Sequence, residues 1–231
     1  MTTTTNTQAP GQAEPVNTQA IDSELQETSF GAWIAKNKSL TIGIVVAIFL
    51  GLVGYGIFNH FQTKKNNENA TALYNFTQTE LVQFREGKLE AKALVEKYES
   101  LWAPMGSFAG AGSFTVEVVD ALTKKGNNEA AYALASKAFD EVSNAQAKFL
   151  LGMRAAVLAE NLSKDKEALS ILNKLISGSV KYMEDKIYLD LGRLQLKTGD
   201  TQKAKTSFQY VIDNGKEEEF KKMARLYLSE L

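Results

Sequence analysis

Of the residue types that most often carry chemistry, the 231-residue chain has a single His, His60, and no Cys. There is accordingly no thiolate nucleophile, no disulfide and no Cys-based metal site. Adjacent carboxylates occur at Glu184 with Asp185 and at Glu217 with Glu218, each on a polar helix end, so both pairs read as solvated charge. Glycine is dense only across residues 103–114, APMGSFAGAGSF. A phosphate cradle there lacks its third glycine, a following GKS or GKT and a preceding strand, which leaves a loop or a tight helix-packing site. HExxH, G-x-S-x-G and calcium-loop spacings are missing as well. The inventory predicts a protein that is not an enzyme and needs no cofactor and no metal.

Charge narrows the partners. The chain carries 26 Lys and Arg against 27 Asp and Glu. Residues 1–39 hold two basic and four acidic groups, and residues 59–231 hold 24 and 23. Neither part has the basic surplus that phosphate contacts demand, so nucleic acid is not an expected partner.

The elements that must position everything else begin with residues 40–58, LTIGIVVAIFLGLVGYGIF, which contain no charge. As a helix these nineteen residues cover roughly 28 Å, against a bilayer hydrocarbon core of roughly 30 Å. Lys36 and Lys38 precede the run and Lys64 and Lys65 follow it, while Trp33 on one side and Tyr55, Phe58, His60 and Phe61 on the other suit the headgroup level. His60 thus reads as interfacially solvated. The run is longer and later than a signal-peptide core and has no small-x-small cleavage site after it, so it predicts an uncleaved transmembrane helix. Gly43, Ala47 and Gly51 recur every four residues, a spacing that suits close approach of a second membrane helix, although glycine is also common in membrane helices generally. The lysines balance, so charge alone does not orient the span.

Residues 1–29 begin as a Thr, Gln, Asn, Ala and Pro tail, too poor in apolar residues to offset the entropy of ordering, and read as disordered. Residues 30–39 form a juxtamembrane segment. Ile21, Leu25, Phe30, Trp33 and Ile34 leave it open between a short interfacial helix and an extended approach.

Residues 59–231 contain one proline, Pro104, a condition that permits an all-helical domain. Leu73, Phe76, Leu81 and Phe84 mark one helical face that continues from the span, Gly87 stops it, and residues 89–102 form the next helix. A period then emerges. Ala131, Ala168 and Ala204 lie 37 and 36 residues apart, followed four positions later by Ala135, Leu172 and Phe208 and seven positions later by Ala138, Leu175 and Val211. Each copy follows a longer helical stretch, at residues 113–124, 144–162 and 181–197. The pairs occupy about 113–142, 144–178 and 181–213. Residues 216–231 make a cap with Phe220, Met223, Ala224, Tyr227 and Leu231 on one face and with Glu217–Lys221 and Glu218–Lys222 as supporting pairs.

In the last pair, Leu191-Gly192 followed by Ala204 and Phe208 has the spacing of the tetratricopeptide repeat, in which small residues let the two helices of a hairpin touch. Ala156 and Val119 stand at the Gly192 place in the other two pairs, which are therefore degenerate. The fold class is all-α: one N-terminal transmembrane helix, then a tetratricopeptide-like α-solenoid of helix hairpins with a C-terminal capping helix.

In its order of features the chain resembles the ancillary subunit family of the bacterial Sec translocon: Trp33, Lys36 and Lys38, a glycine-rich span leaving through Tyr55 and Phe58, then Ala70, Ala72, Leu73 and Tyr74, then degenerate repeats. The Thr and Gln rich tail has no counterpart in that pattern. The resemblance implies a bacterial inner-membrane protein with a cytoplasmic N-terminus and a periplasmic domain. Its implied partners are translocon subunits, periplasmic chaperones or secreted chains, with no small-molecule substrate. The alternative is a structural scaffold for another envelope complex, without contact to client chains. Likeness to tetratricopeptide arrays places the partner-binding groove at Leu150, Met153, Val157, Glu160 and Asn161 and at Lys186, Leu189, Arg193, Leu196 and Lys197: an apolar floor with a basic edge. The groove is either open or filled by the chain's own helices.

Overall fold

The computed structural model describes residues 28–231, apart from Ser107 and residues 179–181. The tail expected to be disordered therefore lies almost wholly outside the described residues. Among the described residues every regular element is a helix. The chain divides between Thr63 and Lys64 into two units.

The first unit contains α1, Ser29–Lys36, capped by the Thr28 hydroxyl, which accepts the Gly31 N–H at 3.0 Å. The juxtamembrane segment is thus helical rather than extended, with Phe30 and Trp33 stacked at 6.5 Å on an exposed flank. After Asn37 the chain enters α2, Lys38–Gln78. Among the described residues this is the one stretch of helix long and apolar enough to cross a membrane. A Cβ built at Gly43 or Gly51 meets nothing, so the small-residue face is bare.

The second unit starts inside α2, whose last turns bury Leu73 and Phe76. Helices α3, Glu80–Arg85, and α4, Ala91–Trp102, form a first hairpin, followed by a short turn at Ala103–Met105. Then come α5, Ala109–Lys124, with α6, Asn128–Glu141; α7, Ala145–Asn161, with α8, Asp165–Ser177; α9, Glu184–Lys197, with α10, Thr201–Asn214; and α11, Glu218–Ser229. Four hairpins share one turn. Gly87, Gly126, Ser163 and Gly199 all take positive φ. The next residue's N–H returns to a carbonyl five positions back: Lys88 to Gln83, Asn127 to Leu122, Lys164 to Ala159 and Asp200 to Gln195. This motif satisfies carbonyls that a helix end leaves unpaired.

The first of these hairpins precedes the repeats expected from residue 113 onward. It escapes the sequence period because α4 begins four residues after its left-handed turn rather than two, and because Leu94 faces inward where the other copies carry Ala131, Ala168 and Ala204. Tyr98 ties it to the next hairpin, its hydroxyl lying 2.9 Å from Thr115 Oγ1 and donating to the Ala111 carbonyl at 3.2 Å. Burial pushes its phenol up to about 12, against the opposing pull of the Thr115 bond.

The glycine-dense stretch resolves into both expected alternatives. Gly106 turns the chain at φ +58, and Gly110 and Gly112 lie within α5, which starts earlier than residue 113. At Gly112 a Cβ would fall 2.5 Å from that of Ala147, so α5 and α7 touch there. Helix α9 begins at Glu184, while Lys181 lies outside the described residues.

Three other expectations need correction. Asp185 is buried, not solvated: its carboxylate accepts the N–H groups of Lys216 and Glu217. On α11 the packed face is Phe220, Ala224, Tyr227 and Leu228, whereas Met223 and Leu231 point outward, because α11 rests on α9 and α10 through Ala224. Lys221 pairs with Glu218, at 3.0 Å, rather than with Glu217.

Candidate protein-binding groove

The first helices of the hairpins are joined in register by charge. Arg85 reaches Glu117 at 2.8 Å; Arg154 holds Asp120 with two bonds of 2.6 and 2.8 Å; Arg193 holds Glu160 with two bonds as well. The second helices repeat the device at Lys137–Glu99, 2.8 Å, and Lys174–Asp140, 2.9 Å. Partners stand 32 to 38 residues apart, close to one repeat, so each pair staples a hairpin to the next. The side-chain bond with Arg193 holds the Glu160 carboxyl below its ordinary range against the pull of burial.

The proposed groove residues fall into two groups. On α7, Leu150 and Met153 are half-buried, Met153 packing on the main core, and Val157 stays 50 % exposed. Asn161, at the end of α7, is exposed. On α9, Leu189 is buried with Ala204, Phe208, Val211 and Ala224, and Leu196 packs on the same cluster. The cations are paired: Lys186 with Asp190 at 2.7 Å, Arg193 with Glu160, and Lys197 with Asp165 at 2.7 Å. The apolar floor is therefore accessible along α7 and covered by α11 along α9, and the edge is a row of ion pairs rather than free positive charge.

The close approaches behind this geometry are glycines. At Gly192 a Cβ would sit 2.5 Å from Phe208 Cε1, which is why α9 and α10 can touch. Gly152 does the same between Phe139 and Leu175, a role the period did not reveal, since the repeat-equivalent position is Ala156. Among the described residues no group of three or more His, Asp and Glu is placed to hold a metal ion.

A model of the tetratricopeptide repeat-like domain matches residues 31–181, from the first turn of α1 through the apolar helix and the first three hairpins. A solved structure, a tetratricopeptide repeat protein from Parabacteroides merdae ATCC 43184, is similar at a TM-score of 0.48 and 14 % identity. That alignment covers 68 % of this chain and 57 % of the other, so the chain spans little more than half of that protein's length. No curated protein matches. With hairpins, shared turns and a family match over well more than half its length, the chain belongs to the tetratricopeptide repeat-like domain family.

Proposed function

We propose that this chain is a membrane-anchored protein–protein interaction module, a single-pass protein of the bacterial inner membrane working as an ancillary subunit of the Sec translocon. The observation that carries the tethering is that the uncharged run of residues 40–58 and the core residues Leu73 and Phe76 belong to one helix, α2. A partner bound by the repeats is thereby held near the bilayer. The Sec assignment rests on the order of Trp33, Lys36, Lys38, the span and Ala70 to Tyr74. On that reading the N-terminus is cytoplasmic, the domain from residue 59 is periplasmic, and the domain assists secreted chains or recruits periplasmic chaperones. Leu150, Met153 and Val157 offer the apolar contacts, and the bare face of Gly43, Ala47 and Gly51 meets a translocon helix. It is not catalytic: its work is binding.

A scaffold for another envelope complex is the second reading. It is favoured by the burial of Leu189 and Leu196 and the pairing of Arg193 and Lys197, which shorten the open floor. The two readings separate by photocrosslinking in living cells from Val46, in the span, and Val157, in the groove, followed by identification of the captured proteins. Translocon subunits at Val46 with secretory chains or a folding factor at Val157 are the expected result. Capture of one envelope complex at both positions, without translocon subunits, would replace this reading with the scaffold.

A further inference from the structure

Away from the groove, the end of α6, the start of α7, the end of α8 and the start of α9, with Gly178 and Tyr182, line an open-mouthed cavity of about 240 Å³. Its walls are aromatic. The buried ring of Phe139 lines it, and Phe149 and Tyr182 meet at 5.5 Å in a tilted pair. Tyr182 keeps 41 % of its surface exposed, apolar area that a bound ring would take out of water.

The charge facing this cavity is positive from three directions. Lys148 and Lys174 place Nζ 5.5 and 5.8 Å from the centre of the Phe139 ring. Lys174 is shared with Asp140, but Lys148 has no carboxylate partner among the described residues, and its contact is the ring. Helix α7, seventeen residues long, begins at Ala145 on the same wall and adds the positive end of its dipole. The one carboxylate of the lining, Glu184, lies in the first turn of α9, where that helix's own positive end offsets it. An aromatic slot with an uncompensated ammonium at its mouth complements a ligand that is flat and apolar at one end and anionic at the other.

We propose that this cavity binds an aromatic ring bearing a carboxylate, supplied either by a small free aromatic acid or by an aromatic residue next to an acidic one in a partner chain. The carboxylate meets Lys148 and the ring packs against the exposed face of Tyr182, beside Phe149. The site does not depend on the translocon reading or on the groove.

The test uses the full chain in lipid nanodiscs, with protein-free discs as baseline, and saturation-transfer NMR titrations of 3-phenylpropionate and 3-phenylpropanamide. Saturable binding of the acid is expected, with the amide about tenfold weaker because it lacks the charge that Lys148 pairs with. Lys148→Met and Tyr182→Ala are each expected to weaken the acid about tenfold while leaving the melting temperature within a few degrees. The peptide acetyl-Gly-Phe-Glu-Gly-amide separates the two sources: tighter binding than the free acid assigns the ligand to a partner chain, and weaker binding assigns it to a small acid. Equal binding of acid and amide, wild-type binding by Lys148→Met, or no saturable signal from acid or peptide would each overturn the proposal.

Discussion

Asp185 shows how much one side chain can fix. Its Oδ2 accepts the N–H groups of Lys216 and Glu217 at 3.0 and 3.1 Å, so it sets the point at which the chain leaves α10 and enters α11. Burial works to raise its pKa, yet the backbone N–H groups of Glu217, Lys216, Asp185 and Lys186 together outweigh burial and hold it below the ordinary value of 3.8. Because the folded pKa lies below the unfolded one, the stability it supplies is complete above pH ~4 and is lost as pH falls through the folded value. Asp185→Asn should therefore lower stability by about 1–2 kcal/mol at neutral pH, and its urea midpoint should decline less steeply than that of the wild type between pH 5 and pH 3. Parallel declines would show that Asp185 does not carry this effect. Gly192 makes the complementary point through volume. Phe208 is fully buried and lies 2.5 Å from where a Cβ would be, so Gly192→Ala should destabilise by about 1–3 kcal/mol through overpacking, read as a lower thermal midpoint. Gly192 and Phe208 were legible in the sequence from spacing alone. Asp185 was not, because its partners are backbone groups 31 and 32 residues later.

At the scale of the element, the recurring unit is a hairpin closed by a left-handed residue and bound to its neighbour by ion pairs. Gly fills that place in three turns and Ser163, at φ +59, in the fourth. A Cβ disfavours this conformation by more than glycine's extra freedom costs in the unfolded chain, so Ser163→Gly is expected to stabilise the domain by about 0.5–1 kcal/mol. Thermal unfolding by circular dichroism measures it, and a lower midpoint would mean that the Ser163 side chain has a compensating role. The 36- and 37-residue period of Ala131, Ala168 and Ala204 is visible in sequence because tight helix contact demands small residues at fixed places. The α3–α4 hairpin was read as two helices but not as a repeat, because its longer turn shifts that register and because Leu94 stands where the other copies carry Ala. The candidate groove was half legible for a related reason. Its apolar residues follow from helical periodicity, but the pairing of Arg193 with Glu160 and the covering of Leu189 by α11 depend on how hairpins stack.

At the scale of the molecule, the boundary between the two units lies inside a helix, and its position can be measured. Residues up to Thr63 form one unit and residues from Lys64 the other, while α2 runs unbroken from Lys38 to Gln78. Beyond Lys64, α2 buries Leu73 completely and brings Phe76 to 5.4 Å from the ring of Tyr98, itself the largest fully buried side chain. A fragment of residues 64–231 keeps these contacts and should unfold in one cooperative transition. A fragment of residues 80–231 loses both side chains, at roughly 2–5 kcal/mol for the Leu and 3–5 kcal/mol for the Phe, a sum comparable to the whole stability of a typical domain. It should show a broad, non-cooperative melt in circular dichroism and exposed apolar surface by dye binding. Equal cooperativity of the two fragments would mean that the end of α2 is dispensable and that the domain begins at α3. A cooperative longer fragment beside a molten shorter one would mean that the end of α2, through Leu73 and Phe76, completes the repeat core.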